Sequence, residues 1–235
     1  MIIKCVWEHN GDDSLLYSVD YVGAFTRGSN RDIAIKKMQE EITSYLSWKN
    51  DKIPETFTVE IVQEKPCNLK VADADSDVIF DEERKPLSVE EYLNLKEFVL
   101  KSAMDFYSLY LSIPDKNTSC LQFRTTFYGN VPRTAQEMYE HTKNVNAYYF
   151  GEIGIDVNNE GTIYECRNRG FELLEQTTEF LINPIVVGSY DELWSVRKML
   201  RRFLWHDRIH AKAMYRMAIR TFSKNDVNNT FGFLG

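Results

Sequence analysis

The chain has 235 residues, 43% hydrophobic and 27% charged, with 35 acidic against 28 basic side chains. That length and composition fit a globular protein of one large domain or two small ones, each able to bury a core. A net charge of -7 argues against a dedicated nucleic-acid binder, which needs a dominant basic surface, and no stretch reaches the unbroken apolar length of a membrane span.

The start, Met1-Ile2-Ile3-Lys4-Cys5, runs straight into strand-like sequence without the layout of a signal peptide. Cys5, Cys67, Cys120 and Cys166 lie far apart with no CxxC pair, so reduced thiols in a cytoplasmic protein are expected. Ile2 to Glu8 alternates as a strand, Asn10-Gly11-Asp12-Asp13 is a turn signal, and Leu15 to Val22 forms the second arm of a hairpin. Gly23 and Gly28 punctuate a short loop. Ser29 or Asn30 then caps a helix whose apolar positions Ile35, Met38, Ile42, Tyr45 and Leu46 follow helical spacing. After Pro54, Phe57 to Val62 alternates as a third strand. Residues 1–64 therefore read as an α+β module in the order strand, strand, helix, strand.

The hairpin, the segment Asp20-Tyr21-Val22-Gly23-Ala24-Phe25-Thr26-Arg27-Gly28 and the amphipathic helix behind it resemble the partial ribonuclease-like fold of HicB-family antitoxins. Val22 stands where that family usually has Pro. The resemblance implies a module used for protein contacts; the DNA-binding tail common in antitoxins is not visible, so no repressor role is expected.

In residues 65–87, Pro66 and Pro86 bracket Asp73, Asp75, Asp77, Asp81, Glu82 and Glu83. Acids at alternate positions invite a calcium-loop reading, but Val78 sits where the sharp turn needs Gly and Arg84 where the bidentate Glu should be. An acidic, solvated connector is expected instead. From Ser88 onward, residues 88–235 read as an all-α four-helix bundle. Ser88 with Glu91, Thr134 with Glu137, Thr162 with Glu165 and Ser189 with Glu192 all fit the capping box. The matching stops are Pro114, then Gly151 and Gly154, then Asn183-Pro184, then Asn228 to Gly232. Cys120 to Phe127 leaves room for extra structure, and an up-down bundle with one or two long crossovers follows.

His141 shares a face of the second of these helices with Met138, Val145 and Tyr148. His206 and His210 are one turn apart on the fourth, on a face with Met199, Phe203, Ala213 and Met217. Arg197, Arg201, Arg208 and Lys212 fall opposite, where a solvated basic face is expected. Three imidazoles pointing into a bundle interior each need a polar partner, and converging on one metal ion satisfies them together. Three neutral imidazoles leave coordination positions open, the pattern of a catalytic site; zinc is the expected ion, and nickel or ferrous iron also suit the donors. Asp207, one residue from a ligand, reads either as a partner orienting that ligand or as a surface acid. Glu137 is assigned to its cap, and His9 flanks the hairpin turn without a functional role.

The segments Thr134-Ala135-Gln136-Glu137-Met138-Tyr139-Glu140-His141 and Leu204-Trp205-His206-Asp207-Arg208-Ile209-His210 resemble the DinB/YfiT-like superfamily of four-helix-bundle metalloproteins. Its metal is held by one His from the second helix and an H-x3-H pair from the last, which implies His141, His206 and His210 as ligands here. Characterised relatives include low-molecular-weight-thiol-dependent transferases and an isomerase. The resemblance thus implies a divalent-metal-dependent enzyme, a thiol S-transferase or related detoxification activity, or a hydrolase. A small-molecule substrate and a homodimer are expected, with no nucleic-acid or membrane partner. The alternative is a non-catalytic protein-interaction module, with the antitoxin-like part contacting a partner and the bundle structural. The extended region before the second helix and the fused N-terminal module depart from the simplest members of the superfamily.

Overall fold

Gly11, at φ +59°, supplies the left-handed turn between the first two strands. They run Ile2–Asn10 (β1) and Asp13–Ser18 (β2), paired antiparallel from Cys5 opposite Ser18 to Asn10 opposite Asp13. In this computed structural model, which describes residues 1–126 and 129–234, β2 stops four residues short of the expected Val22. The Ser18 hydroxyl accepts from the Tyr21 amide and the Asp20 carboxylate accepts from the Lys4 amide at 2.7 Å, so local side-chain bonds turn the chain away from the ladder. The expected loop between Gly23 and Gly28 is instead partly a strand, Phe25–Gly28 (β3), antiparallel to β2. Four residues between glycines are too few to show a period, and pairing with β2 decides the matter. The helix α1 (Arg31–Lys49) is capped by Asn30, not Ser29, and is followed by β4 (Thr58–Pro66), parallel to β1. The sheet order is β3-β2-β1-β4, and Ala34, Met38 and Ile42 of α1 are fully buried with Ile3, Cys5 and Leu16 of the sheet.

Residues 65–87 are a solvated connector only in part: Asp81 and Glu82 are exposed, but several other positions are not. Val71, Val78, Phe80 and Leu87 are buried, and so is Glu83, whose carboxylate is ion-paired with Arg201. Glu83 reads as solvated in the sequence because its partner, Arg201, lies 118 residues away.

Three capping boxes form as expected. Ser88, Thr134 and Thr162 open α2 (Val89–Ser112), α3 (Ala135–Gly151) and α4 (Ile163–Leu174). The fourth does not form. Ser189 lies in a short 3-10 turn at the tip of a hairpin, β7 (Val186–Val187) with β8 (Leu193–Trp194), and α5 (Val196–Thr221) is capped by Ser195. Glu192 is used elsewhere, in an ion pair with Lys198 at 2.8 Å. The helix α4 also ends nine residues before Asn183. Between α2 and α3 a small hairpin, β5 (Thr125–Thr126) with β6 (Gly129–Asn130), supplies the extra structure anticipated there; Phe127, the end of that stretch, lies outside the described residues. The helix α5 packs against α2 and α3, and α4 packs against the same two. Among the described residues, no helix is long and apolar enough to cross a membrane.

The N-terminal sheet and the later helices share one continuous core, and the contact is tight at Gly23. A Cβ there would lie 2.5 Å from the Cβ of Leu204 on α5, and the residue has φ +93°. Gly23→Ala is therefore expected to lose about 1–3 kcal/mol to overpacking, with roughly 1 kcal/mol more from the positive φ. Urea unfolding followed by circular dichroism measures this; an unchanged midpoint would mean that the two parts do not meet as described.

Candidate metal centre

His206 and His210 sit on α5 because its apolar stripe, Met199, Phe203, Met214 and Met217 among others, is buried against α2 and α3. His141 comes to them from α3, whose Met138 and Tyr149 are buried in the same core. Of the residues expected beside His141, Val145 is half-buried and Tyr148 is exposed, so the inward face of α3 is narrower than its periodicity implies.

The three histidines come together. Ring centroids are 5.1 Å apart for His141 and His206, 4.6 Å for His141 and His210, and 4.4 Å for His206 and His210. One nitrogen from each lies within 4.8 Å of the others, close enough to hold a metal ion. The Nε2 atoms of His141 and His206 are 3.3 Å apart. Zinc–nitrogen bonds of about 2.0–2.1 Å in a tetrahedron place two ligand nitrogens about 3.3–3.4 Å apart. Burial holds the His141 pKa below its ordinary value. Burial first, then the neighbouring imidazoles, push His206 and His210 well below theirs. At neutral pH all three rings are uncharged, with a lone pair on each to donate.

The surroundings of His206 are aromatic and cationic. Tyr149 meets its ring edge-on at 5.9 Å, and Arg202 is enclosed by Trp194, Trp205 and Tyr149, with Nη1 donating to the Ser76 carbonyl at 2.8 Å. Arg202 adds to the depression of the His206 pKa. The His206 Nδ1 has no hydrogen-bond partner among the described residues, so packing, not an outer hydrogen bond, orients this ring.

Asp207 is neither a surface acid nor a partner of a histidine. It is fully buried and accepts two hydrogen bonds from Arg167, at 2.6 and 3.0 Å, and one from Ser102 at 2.7 Å. Arg167 also donates from Nε to Asn146 at 3.0 Å. Ser102, Asn146, Arg167 and Asp207 come one each from α2, α3, α4 and α5, and each is 0% exposed. This network fixes the rotation of α5 one residue from His206. Arg167 was missed in the sequence, although it lies one turn from Ile163 and Phe171 on a buried face, a periodicity that could have placed it inside.

The basic residues opposite the histidines are likewise not a solvated face. Arg201 pairs with Glu83 and Arg208 with Glu41, all four buried, and Lys212 reaches Glu41 at 2.9 Å. Arg197 bonds to the carbonyls of Lys85 and Pro86 and to Glu91. The N-terminal module and the connector cover this side of α5 and supply its counter-charges. Glu137 caps α3, accepting from the amides of Arg133 and Thr134, and is not aimed at the histidines. His9 stacks on Trp7 and pairs with Glu64. Cys5 and Cys166 are buried, Cys67 is half-buried and Cys120 is exposed, all as free thiols.

Comparison with protein-family models, curated proteins and solved structures finds no match for this chain.

Proposed function

We propose that His141, His206 and His210 bind one divalent metal ion and that the protein is a metal-dependent enzyme acting on a small molecule, with transfer of a low-molecular-weight thiol as its chemistry. The observation that carries the reading is the 3.3 Å separation of the His141 and His206 Nε2 atoms, with a third imidazole in reach and all three rings kept neutral by burial. Arrangement of α2 to α5 as a DinB-like four-helix bundle belongs to the same proposal; the buried network of Ser102, Asn146, Arg167 and Asp207 supports it by joining the four helices at one level. Zinc is the preferred ion because three nitrogen donors and an open position match its catalytic sites. When bound, such an ion supplies a nucleophile near neutral pH by acidifying water or a thiol. The chain's own part is to present three unprotonated donors, to hold α5 in register through Asp207, and to bring aromatic walls, Tyr149 foremost, against the site.

Protein purified without chelator is expected to contain close to one equivalent of divalent metal by elemental analysis. Substituting any two of the histidines with Gln should remove it and abolish metal-dependent conjugation of a small thiol to an electrophilic aryl halide. A metal-free preparation that cannot be loaded with zinc, nickel or ferrous iron would overturn the metal reading. Stoichiometric metal without thiol turnover would overturn the thiol chemistry alone.

A further inference from the structure

Where β3 and α1 meet α5 there is a cavity of about 340 Å³, and none of the three histidines lines it. Its charge runs against the acidic whole. Arg27, Lys37, Lys212 and Arg216 line it, with Glu40 and Glu41. Glu41 is already committed, accepting from Arg208 at 3.0 and 2.7 Å and from Lys212 at 2.9 Å. Two cations on one carboxylate leave a positive surplus, to which Arg216 and Lys37 add and from which only Glu40 subtracts.

A second observation points to a ligand. Ser44, 3% exposed on α1, lines the same cavity, and its hydroxyl has no hydrogen-bond partner. Buried hydroxyls are almost always paired. A ligand oxygen seated beside Ser44 would give this hydroxyl an acceptor, and the cations lining the cavity would supply charge-assisted bonds to the other oxygens.

We propose that this cavity binds the phosphate group of a small phosphomonoester. The surplus of more than one positive charge favours a dianion over a single carboxylate. A volume of about 340 Å³ exceeds a bare phosphate and falls in the range of small-ligand sites, and Phe25 and Leu234 give the organic part an apolar wall. The site lies between the N-terminal module and the helix that carries His206 and His210, so occupancy braces α5 from residues other than the three histidines.

Calorimetric titration of chelator-treated protein at fixed ionic strength tests this independently of any metal, since phosphate then has no ion to ligate. Inorganic phosphate and glycerol 3-phosphate are expected to bind one per chain with a Kd on the order of 1 mM or below, and glycerol is not. Arg216→Gln and Ser44→Ala should each weaken binding about tenfold or more, with circular dichroism unchanged. Arg220→Gln, on an exposed residue outside the cavity, should leave binding as it is. No binding overturns the proposal, and so does binding that the two cavity variants leave within about twofold, which would be an adventitious ion only. Co-sedimentation with phosphatidic-acid vesicles that free glycerol 3-phosphate fails to displace overturns the small-molecule assignment.

Discussion

Asp207→Ala is expected to destabilise the metal-free protein by about 3–5 kcal/mol, the cost of leaving a buried charge without its partner. Arg167 is fully buried and its guanidinium lies 4.4 Å from the centroid of the Phe203 ring, with Asp207 its paired carboxylate. Removing that carboxylate strands the cation where water does not reach, and also strips the Ser102 hydroxyl of its acceptor. The remaining bonds of Arg167, to Asn146 and the Val99 carbonyl, are to neutral acceptors. The double variant Arg167→Met with Asp207→Leu should be less damaging than Asp207→Ala, because it removes both charges at once. It still leaves the buried Asn146 Oδ1 without its donor, so full recovery is not expected. Urea unfolding of chelated protein reads both effects without a metal contribution to stability. A double variant as unstable as the single one would locate the cost in lost packing and not in the stranded charge.

The same network explains what was legible in the sequence. A capping box is local, and three of four formed where the residues place them. The exception, Ser189 with Glu192, meets the spacing rule but loses to a hairpin that pairs Val186 with Trp194 and Val187 with Leu193. The histidine cluster was legible because helical spacing tells which side chains share a face, and His206 with His210 need only one face of one helix. Spacing does not tell what covers the opposite face. Arg201 and Arg208 read as solvated because nothing near them in sequence neutralises them; Glu83 and Glu41 do so from 118 and 167 positions away. The connector was misread for the reciprocal reason. Two errors that look separate are therefore one fact, the docking of residues 1–87 along the basic side of α5.

That docking makes α5 a buried helix on both sides, and it bears on the pH response of the histidines. In metal-free protein, the histidine contribution to stability is expected to be level above about pH 6.5, the ordinary pKa of histidine, and to fall as pH drops below it; buried Lys198, lowered to about 8, adds a separate slope near pH 8. All three imidazoles have folded-state pKa values below the unfolded value, two of them well below. Between the unfolded and folded values the unfolded chain binds protons that the folded chain does not, so acid favours unfolding. Each histidine contributes a slope of up to about 1.4 kcal/mol per pH unit, and three acting together give about 4. Glu8 works in the opposite sense. Burial raises its folded pKa, as it does that of Asp75, so the folded chain takes up these protons first, but they are two groups against three and act nearer the carboxylate range. Urea midpoints measured from pH 8 to pH 5 should decline steeply through the interval just below 6.5. With the three histidines changed to Gln that decline should flatten, leaving any acid response to the carboxylates. Zinc-loaded protein should start from higher stability and lose more over the same interval, since protons and metal compete for the same lone pairs. A wild-type profile as flat as that of the triple variant would mean that the imidazoles titrate in the folded chain as they do in the unfolded one, and neither the burial nor the metal centre would stand.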